Sequence, residues 1–242
     1  MRYCRAAYTR GNMLTLSASR IKLYQECRYR YYDRYILGIP DAPNTSALMG
    51  SAIHHAIETY YTKGRNPRTS FDRYMQRMLD WWVNSGVEHK SYDTFSNLMR
   101  IGRESVVTFP YAGYTPIALE QKFMFNFQDI CMVQGIIDFE TDIGIVDFKS
   151  SKKKPSQKEL DNDPQFILYT YAYLLKYGCW PEDVQRYHLR DNTIMQFTIP
   201  NMKERFNTLA TICTTIVNDT FTDITPQTRC KSCAPWCSRK NV

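Results

Sequence analysis

The first half of the chain carries apolar side chains at helical spacing. Four segments repeat apolar positions every three or four residues, which is the period of an amphipathic helix. They are residues 17–37, 46–63, 70–84 and 91–109. Ser17 or Ser19 is a suitable N-cap for the first segment, and Gly38 and Pro40 follow its end. The pattern therefore predicts four helices before residue 110.

After residue 110 the period of the pattern changes to two. Residues 117–128 alternate between apolar and polar positions, which predicts a strand with one buried face. Residues 131–140 and 144–150 are apolar on both faces, as central strands are. The remaining predicted elements are a helix from Asp163-Pro164 to Gly178, strands at 184–190 and 193–199, and a helix at 202–218. From residue 91 the order is α-β-β-β-α-β, which indicates an α/β core, with the helices before residue 90 as a separate lobe.

Three charged side chains stand in the two strands that are predicted to be central. Asp138 lies in the first strand, and Asp147 and Lys149 lie two residues apart in the second, so these two share one face. If the connection runs from Thr141 to Gly144, Asp138 lies directly across from Asp147. Burying a carboxylate costs free energy unless it is paired, so this convergence needs an explanation.

Two interpretations of this hairpin stay open on the residues alone. A pair of carboxylates supplies the oxygen ligands that Mg²⁺ or Mn²⁺ prefers, and the ammonium of Lys149 could position or deprotonate a water molecule. The alternative is a buried ion pair between Asp147 and Lys149 that stabilises the sheet. Two acids against one base leave an excess of negative charge, which favours the metal site.

The hairpin resembles the PD-(D/E)XK nuclease motif, in which one acid precedes a strand that carries a second acid and a lysine. Asp138 and the run Asp147-Phe148-Lys149 match this motif, with aspartate in place of the more usual glutamate at 147. Two further matches are to the RecB-like branch of the superfamily. The segment from Gly50 to His54 resembles its GxxxH motif, and the segment from Gln165 to Tyr169 resembles its QxxxY motif.

This resemblance implies a restriction-endonuclease-like fold and a set of active-site roles. The implied metal ligands are His54, Asp138, Asp147, the backbone carbonyl of Phe148 and, in addition, Glu120 on the polar face of the preceding strand. The implied catalytic residues are Lys149, Asp138, Asp147, Gln165 and Tyr169. Lys149 would activate or orient the attacking water, and Gln165 and Tyr169 would position the DNA strand and the active site.

The cysteines indicate a second metal centre. Cys230, Cys233 and Cys237 lie within eight residues, a spacing that favours a soft metal. The segment around Cys27 resembles the N-terminal segment of iron–sulfur nucleases of the AddB type and of CRISPR adaptation nucleases. The resemblance implies a 4Fe–4S cluster held by these four cysteines, which would join the two ends of the chain. A Cys₄ zinc site uses similar ligands and stays open as an alternative, as do free thiols.

Composition excludes several other classes of protein. The chain has 242 residues, of which 43% are hydrophobic and 14% aromatic, so it can bury a core and is not a disordered protein. It contains no apolar run of about 18 residues and no apolar segment typical of a secretory signal, which predicts a cytoplasmic protein without a membrane span. Eight cysteines in this context favour a reducing compartment and metal binding over disulfides. The net charge of +7 suits a polyanionic partner.

These features together predict a single RecB-like nuclease domain over residues 1–242. We expect a mostly helical lobe at 41–110, a catalytic core at 111–200 and cluster-binding ends at 17–37 and 228–238. The predicted activity is Mg²⁺- or Mn²⁺-dependent hydrolysis of DNA by an exonuclease that acts on single-stranded ends. Recombination, repair and CRISPR-type DNA processing are the implied settings, with partner proteins from those processes. The alternative is a non-catalytic nucleic-acid-binding or assembly protein with a structural zinc or iron–sulfur site.

Overall fold

A computed structural model describes residues 13–39, 45–85, 94–109, 111 and 113–224 of the chain. Three of the four predicted cluster ligands, Cys230, Cys233 and Cys237, lie outside these residues, so the cluster stays a prediction. The chain divides into two compact units. Unit 1 comprises Met1–Asp41, Phe125–Val133 and Phe206–Val242, and unit 2 comprises Ala42–Met124 and Gln134–Arg205.

The described residues form helices and strands in the order that the pattern predicts, with two short additions. The helices are α1 (Ala18–Glu26), α2 (Arg28–Tyr31), α3 (Thr45–Lys63), α4 (Pro67–Ser85), α5 (Phe95–Val107), α6 (Gln157–Asp161), α7 (Pro164–Tyr177) and α8 (Met202–Asn218), and a π-helical segment covers Tyr32–Ile36. The strands are β1 (Thr15–Leu16), β2 (Ala118–Phe127), β3 (Cys131–Glu140), β4 (Gly144–Lys149), β5 (Asp183–His188) and β6 (Thr193–Gln196). The pattern did not predict β1 or α6, which are too short to show a period.

Unit 1 contains the N-terminal helices, the β1 pairing and most of α8. The side chain of Ser17 caps α1, as predicted. The single helix predicted over residues 17–37 is interrupted at Cys27, whose extended backbone separates α1 from α2. Strand β1 pairs in parallel with Met132 and Val133 of β3.

Unit 2 contains most of the sheet. Strand β3 pairs with β2 and, in antiparallel fashion, with β4. Strand β4 pairs in parallel with β5, and β5 pairs antiparallel with β6. The predicted α-β-β-β-α-β order is confirmed, as is the internal position of β3 and β4. Helix α7 makes the crossover between β4 and β5; it begins at the N-cap Asp163 and ends at Gly178, whose φ of +75° closes the last turn.

Helices α3, α4 and α5 share one hydrophobic core with this sheet. Their buried side chains pack with sheet residues of one face, which are Phe139, Val146, Phe148 and Tyr187. Helix α3 supplies a continuous apolar stripe that includes Met49, Ala52, Ile53 and Ala56, all of which are fully buried. These helices are therefore part of the same core as the sheet and do not form the separate lobe that the pattern indicated. None of the described helices combines the length and the apolar character needed to cross a membrane.

Candidate active site

Five elements of unit 2 carry the residues that the sequence predicts for the site. Helix α3 carries His54, β2 carries Glu120, β3 carries Asp138, β4 carries Asp147 and Lys149, and α7 carries Gln165 and Tyr169. An open cleft of about 580 Å³ reaches His54 and Glu120, and its other walls include His55, Glu58 and Tyr74. Of the sheet residues of the site, this cleft therefore reaches Glu120.

The pairing of β3 with β4 aligns the two aspartates. Phe139 pairs with Val146 and Glu140 pairs with Ile145, so the same register places 138 opposite 147, as predicted from the length of the connection. The Asp138 carboxylate also accepts a hydrogen bond from the backbone N–H of Phe148 at 2.8 Å. That bond fixes the side chain of Asp138 against the strand that carries the second aspartate.

His54, Glu120 and Asp138 form a group of potential metal ligands, called here the His54 group. His54 Nδ1 lies 3.2 Å from Glu120 Oε1 and 3.7 Å from Asp138 Oδ1. One ligand atom from each of the three lies within 4.8 Å of the others. An imidazole nitrogen and two carboxylates form a donor set that suits a divalent cation, and Mn²⁺ tolerates such a mixture. The residues therefore fit the metal ion that the resemblance implies.

The backbone of Glu120 adopts an uncommon conformation for a strand residue. Its φ is +47°, in the left-handed region that costs an ordinary side chain roughly 1–2 kcal/mol. Such strain persists only where the surrounding structure imposes it, and it concentrates at functional sites. Here the turned backbone accompanies a side chain that contacts His54.

The GxxxH segment has a steric explanation. A Cβ atom on Gly50 would lie 2.8 Å from the Ser150 hydroxyl, which is closer than such atoms approach. Ser150 directly follows Lys149, the last residue of β4. Glycine at 50 therefore lets α3 lie against the end of β4, one helical turn before His54.

Asp147 lies in a hydrogen-bonded chain that continues into α7. Its carboxylate is fully buried and lies 2.8 Å from the ammonium of Lys149. The amide of Gln165 donates to Asp147 at 2.8 Å and to the hydroxyl of Tyr169 at 2.7 Å. The Tyr169 hydroxyl in turn donates to the backbone carbonyl of Ile136. Gln165 and Tyr169 thus face the site together, which is the arrangement that their i, i+4 spacing predicts.

The acidic side chains determine the protonation of their neighbours. Burial alone would lower the pKa of His54, but the charge of Asp138 and the hydrogen bond and charge of Glu120 raise it to about 9. Burial also lowers the pKa of Lys149, whereas the charges of Asp147 and Asp138 raise it above the usual lysine value. The pKa of Tyr169 is well above its ordinary value, because of burial and the same two aspartates. Before a metal ion binds, protons on His54 and Lys149 therefore balance part of the negative charge.

The geometry leaves two of the implied ligands without direct support. Asp147 is not in the His54 group, and its carboxylate is engaged with Lys149 and Gln165. Among the described residues, no contact of the Phe148 carbonyl bears on metal binding. Both assignments stay predictions, and so does the fourfold cysteine site, of which the described residues include only Cys27. The Cys27 thiol accepts a hydrogen bond from the backbone N–H of Arg30 at the start of α2.

One charged residue close to the site was not predicted from the sequence. Arg186 lies in β5 opposite Asp147 in the parallel register, and only 7% of it is exposed. Three basic residues alternate along this segment, at Arg186, His188 and Arg190. A basic residue within a predicted buried strand was the available signal, but pairing between β4 and β5 cannot be read from the pattern alone.

Comparisons with known proteins agree with this geometry. The chain is 27% identical over 160 residues to one subunit of an ATP-dependent helicase/deoxyribonuclease from Streptococcus uberis, an alignment that covers 57% of this chain and 14% of that protein. The chain thus spans about one seventh of this curated relative. The crystal structure of a candidate exonuclease from Eubacterium rectale has a similar fold, with a TM-score of 0.56, 11% identity, and coverage of 84% of this chain and 81% of that one. The model of the PD-(D/E)XK nuclease superfamily matches residues 15–238, and the chain therefore belongs to that superfamily.

Proposed function

We propose that this protein is a Mg²⁺- or Mn²⁺-dependent nuclease that hydrolyses phosphodiester bonds in DNA. The observation that supports it best is the His54 group, whose Asp138 lies opposite the Asp147 that pairs with Lys149. Membership of the superfamily supports nuclease activity, and the name of the Streptococcus uberis relative supports a DNA substrate. That name also joins a deoxyribonuclease to a helicase, so a helicase is a proposed partner.

We assign the residue roles from their contacts and, for Asp147 and the Phe148 carbonyl as ligands, from the resemblance to the nuclease motif. His54, Glu120 and Asp138 would hold the metal ion, and Asp147 and the Phe148 carbonyl would complete its coordination. When bound, the ion would stabilise negative charge on the scissile phosphate and make a water molecule more acidic. Lys149 would place its ammonium beside the attacking water and the phosphate, where its positive charge opposes the developing negative charge. Gln165 would orient Asp147, and Tyr169 would fix Gln165 through their hydrogen bond.

The charge of the site argues against a non-catalytic binding protein. Glu120, Asp138 and Asp147 place three carboxylates at one end of the sheet. A surface that only binds DNA gains affinity from cations and loses it to carboxylates beside the phosphates. A divalent ion reverses this repulsion, so a metal-dependent enzyme explains the acids and a binding protein does not.

Cleavage of end-labelled DNA with and without Mn²⁺ tests the activity. We expect cleavage only with the metal ion, and a loss of about 10³-fold in Asp138→Asn. Asparagine keeps an oxygen that can accept from the Phe148 N–H, so this variant removes the charge without removing the bond. Arg100→Gln is a matched surface control, because Arg100 pairs with Glu104 and Asn97 within α5. Wild-type protein that binds DNA but leaves it intact at every metal concentration would establish the binding-protein alternative.

We further propose that the substrate is a single-stranded DNA end. The open cleft beside the His54 group supports entry of a flexible strand, and the fold is similar to that of the candidate exonuclease. Linear and circular forms of the same single strand should separate the two modes of cleavage. An exonuclease degrades the linear form and spares the circle, whereas efficient cutting of the circle would show an endonuclease.

We also propose that Cys27, Cys230, Cys233 and Cys237 hold a 4Fe–4S cluster. Cys27 lies at the junction of α1 and α2, where its thiol accepts the backbone N–H of Arg30, and the C-terminal cysteine spacing supports a metal centre. Protein purified without oxygen should be brown and contain iron and sulfide. Cys27→Ala should lose the iron, whereas the control Cys179→Ala, at an exposed position, should keep it. Colourless protein with stoichiometric zinc would favour the Cys₄ zinc site.

A further inference from the structure

Arg186 is a buried cation on the same sheet face as the catalytic acids. It pairs with Asp147 in the parallel register of β4 and β5, and paired residues of neighbouring strands point to one face. Only 7% of Arg186 is exposed. A permanent charge is costly to bury, and an apolar side chain of similar size would pack a strand at lower cost. Its position therefore indicates a use other than stability.

The guanidinium lies close to both ends of the connection that joins β4 to α7. One of its nitrogens donates to the hydroxyl of Ser151, two residues beyond Lys149, at 3.2 Å. Another lies 4.0 Å from the Asp163 carboxylate, at the start of α7. Arg186 thus lies between the end of the catalytic strand and the helix that carries the QxxxY motif.

Asp163 connects this cation to the catalytic group. Its carboxylate is the N-cap of α7 and accepts the backbone N–H of Gln165 at 2.9 Å. The side chain of Gln165 then donates to Asp147. The contacts form one path, from Arg186 through the cap to Gln165 and so to the acid beside Lys149.

We propose that Arg186 is a positioning residue of the active site, which holds the N-terminus of α7 so that the amide of Gln165 meets Asp147. This inference rests on the proposed nuclease activity. Arg186 is too buried to reach a DNA strand, so it acts through Gln165 and not through substrate binding. Misplacing a catalytic group by about 1 Å can lower a rate about 10²-fold, and that is the scale of effect expected here.

Steady-state cleavage at saturating Mn²⁺ tests the proposal. Arg186→Met should lower kcat about 10- to 100-fold, with less than a threefold change in KM and in Mn²⁺ affinity. Arg186→Lys should recover part of kcat, because lysine keeps the charge but lacks the forked guanidinium that lies near both Ser151 and Asp163. The control is Arg205→Met, since the Arg205 guanidinium contacts the Thr198 carbonyl and the ring of Phe197. If Arg186→Met fails to fold, Asp163→Asn takes its place, with a kcat loss of the same sign expected.

A double-mutant cycle distinguishes positioning from a general loss of structure. If Arg186 acts through Gln165, the variant with both Arg186→Met and Gln165→Ala should have the same kcat as Gln165→Ala alone, within about twofold. Independent effects would instead multiply, and that result would overturn the proposal, as would an unchanged kcat in Arg186→Met.

A crystal structure of Arg186→Met provides a test that does not need cleavage. The distance between the Gln165 amide and Asp147 should increase from 2.8 Å beyond hydrogen-bonding range. An unchanged distance would contradict the inference even in an active enzyme. Absence of cleavage by the wild-type protein would count against the proposed activity alone, and this structural readout would still decide the role of Arg186.

Discussion

Two charged clusters of the molecule use similar residues in different ways. In unit 1 the guanidinium of Arg28 donates to both carboxylate oxygens of Asp219 and to both of Asp223. Asp219 also accepts the hydroxyl of Tyr24 at 2.7 Å. In unit 2 the carboxylates of Glu120 and Asp138 instead converge on the imidazole of His54. Each cluster therefore places one cationic group between two acids.

The difference lies in whether the central group can give up its charge. Hydrogen bonds from Arg28 to Asp219 and Asp223 raise its pKa above an already high value, so Arg28 keeps its proton at every accessible pH. His54, with a pKa of about 9, can lose its proton and become a neutral ligand. The arginine cluster can only join parts of the fold, whereas the histidine cluster can exchange a proton for a metal ion.

The largest expected effect comes from the cation beside the His54 group. Lys149→Met should lower single-turnover cleavage by about 10² to 10⁴, the range for losing a positioned charge or proton-transfer group. Mn²⁺ affinity, measured by calorimetry, should be equal or higher, because repulsion between the ammonium and the metal ion is gone. Excess Mn²⁺ should therefore fail to restore cleavage.

Lys149→Met and Asp147→Ala together distinguish catalysis from the ion-pair interpretation of the hairpin. If Asp147 and Lys149 only stabilise the sheet, removing either partner costs roughly 3–5 kcal/mol and both variants misfold. Folded Lys149→Met protein with the wild-type rate would end the catalytic assignment. Two equally unfolded variants, Asp147→Ala and Lys149→Met, would leave the ion pair as the explanation.

The second prediction concerns pH in the metal-free protein. Because folding raises the pKa of His54 from 6.5 to about 9, its contribution to stability is fully present below pH 6.5 and is lost as the pH rises through 9. The loss should approach about 3 kcal/mol in urea unfolding at these two pH values. Mn²⁺ affinity should rise over the same window, because the metal ion displaces the proton. His54→Gln should flatten both dependences, and a wild-type protein without either one would contradict the assignment.

The third prediction concerns Arg28. Its contribution to the free energy of unfolding should not vary between pH 6.5 and 9, because neither Arg28 nor its acids titrate there. Arg28→Lys keeps the charge but loses the paired hydrogen bonds, and we expect a loss of about 2 kcal/mol in the free energy of unfolding. The control is Arg100→Lys, an exposed i, i+4 pair with Glu104, which should cost less than about 0.5 kcal/mol. Equal losses in the two variants would show that the Arg28 geometry adds nothing.

The sequence was sufficient to place the β3–β4 hairpin, because strand period and connection length together determine which side chains face each other. Asp138, Asp147 and Lys149 follow from that period, and the cap at Asp163 follows from local backbone chemistry. Local pattern does not specify partners that are distant in the chain. The pairing of Arg186 with Asp147 depends on tertiary contacts that local pattern does not encode. At Cys27 the side chain caps α2, which the helical period does not reveal.

Glu120 illustrates a further limit of the pattern. Alternation correctly places residue 120 in a strand, but it carries no information on the sign of φ. The left-handed backbone there is a product of the surrounding structure, so local sequence cannot reveal it. This conformation also distinguishes the His54 group from the Arg28 cluster, because the φ values of Arg28, Asp219 and Asp223 all lie outside the left-handed region.

The smallest expected effect comes from that strained residue. Glu120→Ala and Glu120→Gly both remove the carboxylate, so both should weaken Mn²⁺ binding and cleavage equally. Their stabilities should differ, because alanine retains the unfavourable φ of +47° and glycine does not. We expect the glycine variant to be more stable by about 1 kcal/mol in urea unfolding, which reverses the usual order of these residues in a strand. The same pair of substitutions at Gln121, the next residue of β2 with an ordinary φ, should favour alanine. If alanine were the more stable residue at both positions, the backbone at Glu120 would not be strained. The contact between Glu120 and His54 would then carry no cost in backbone strain.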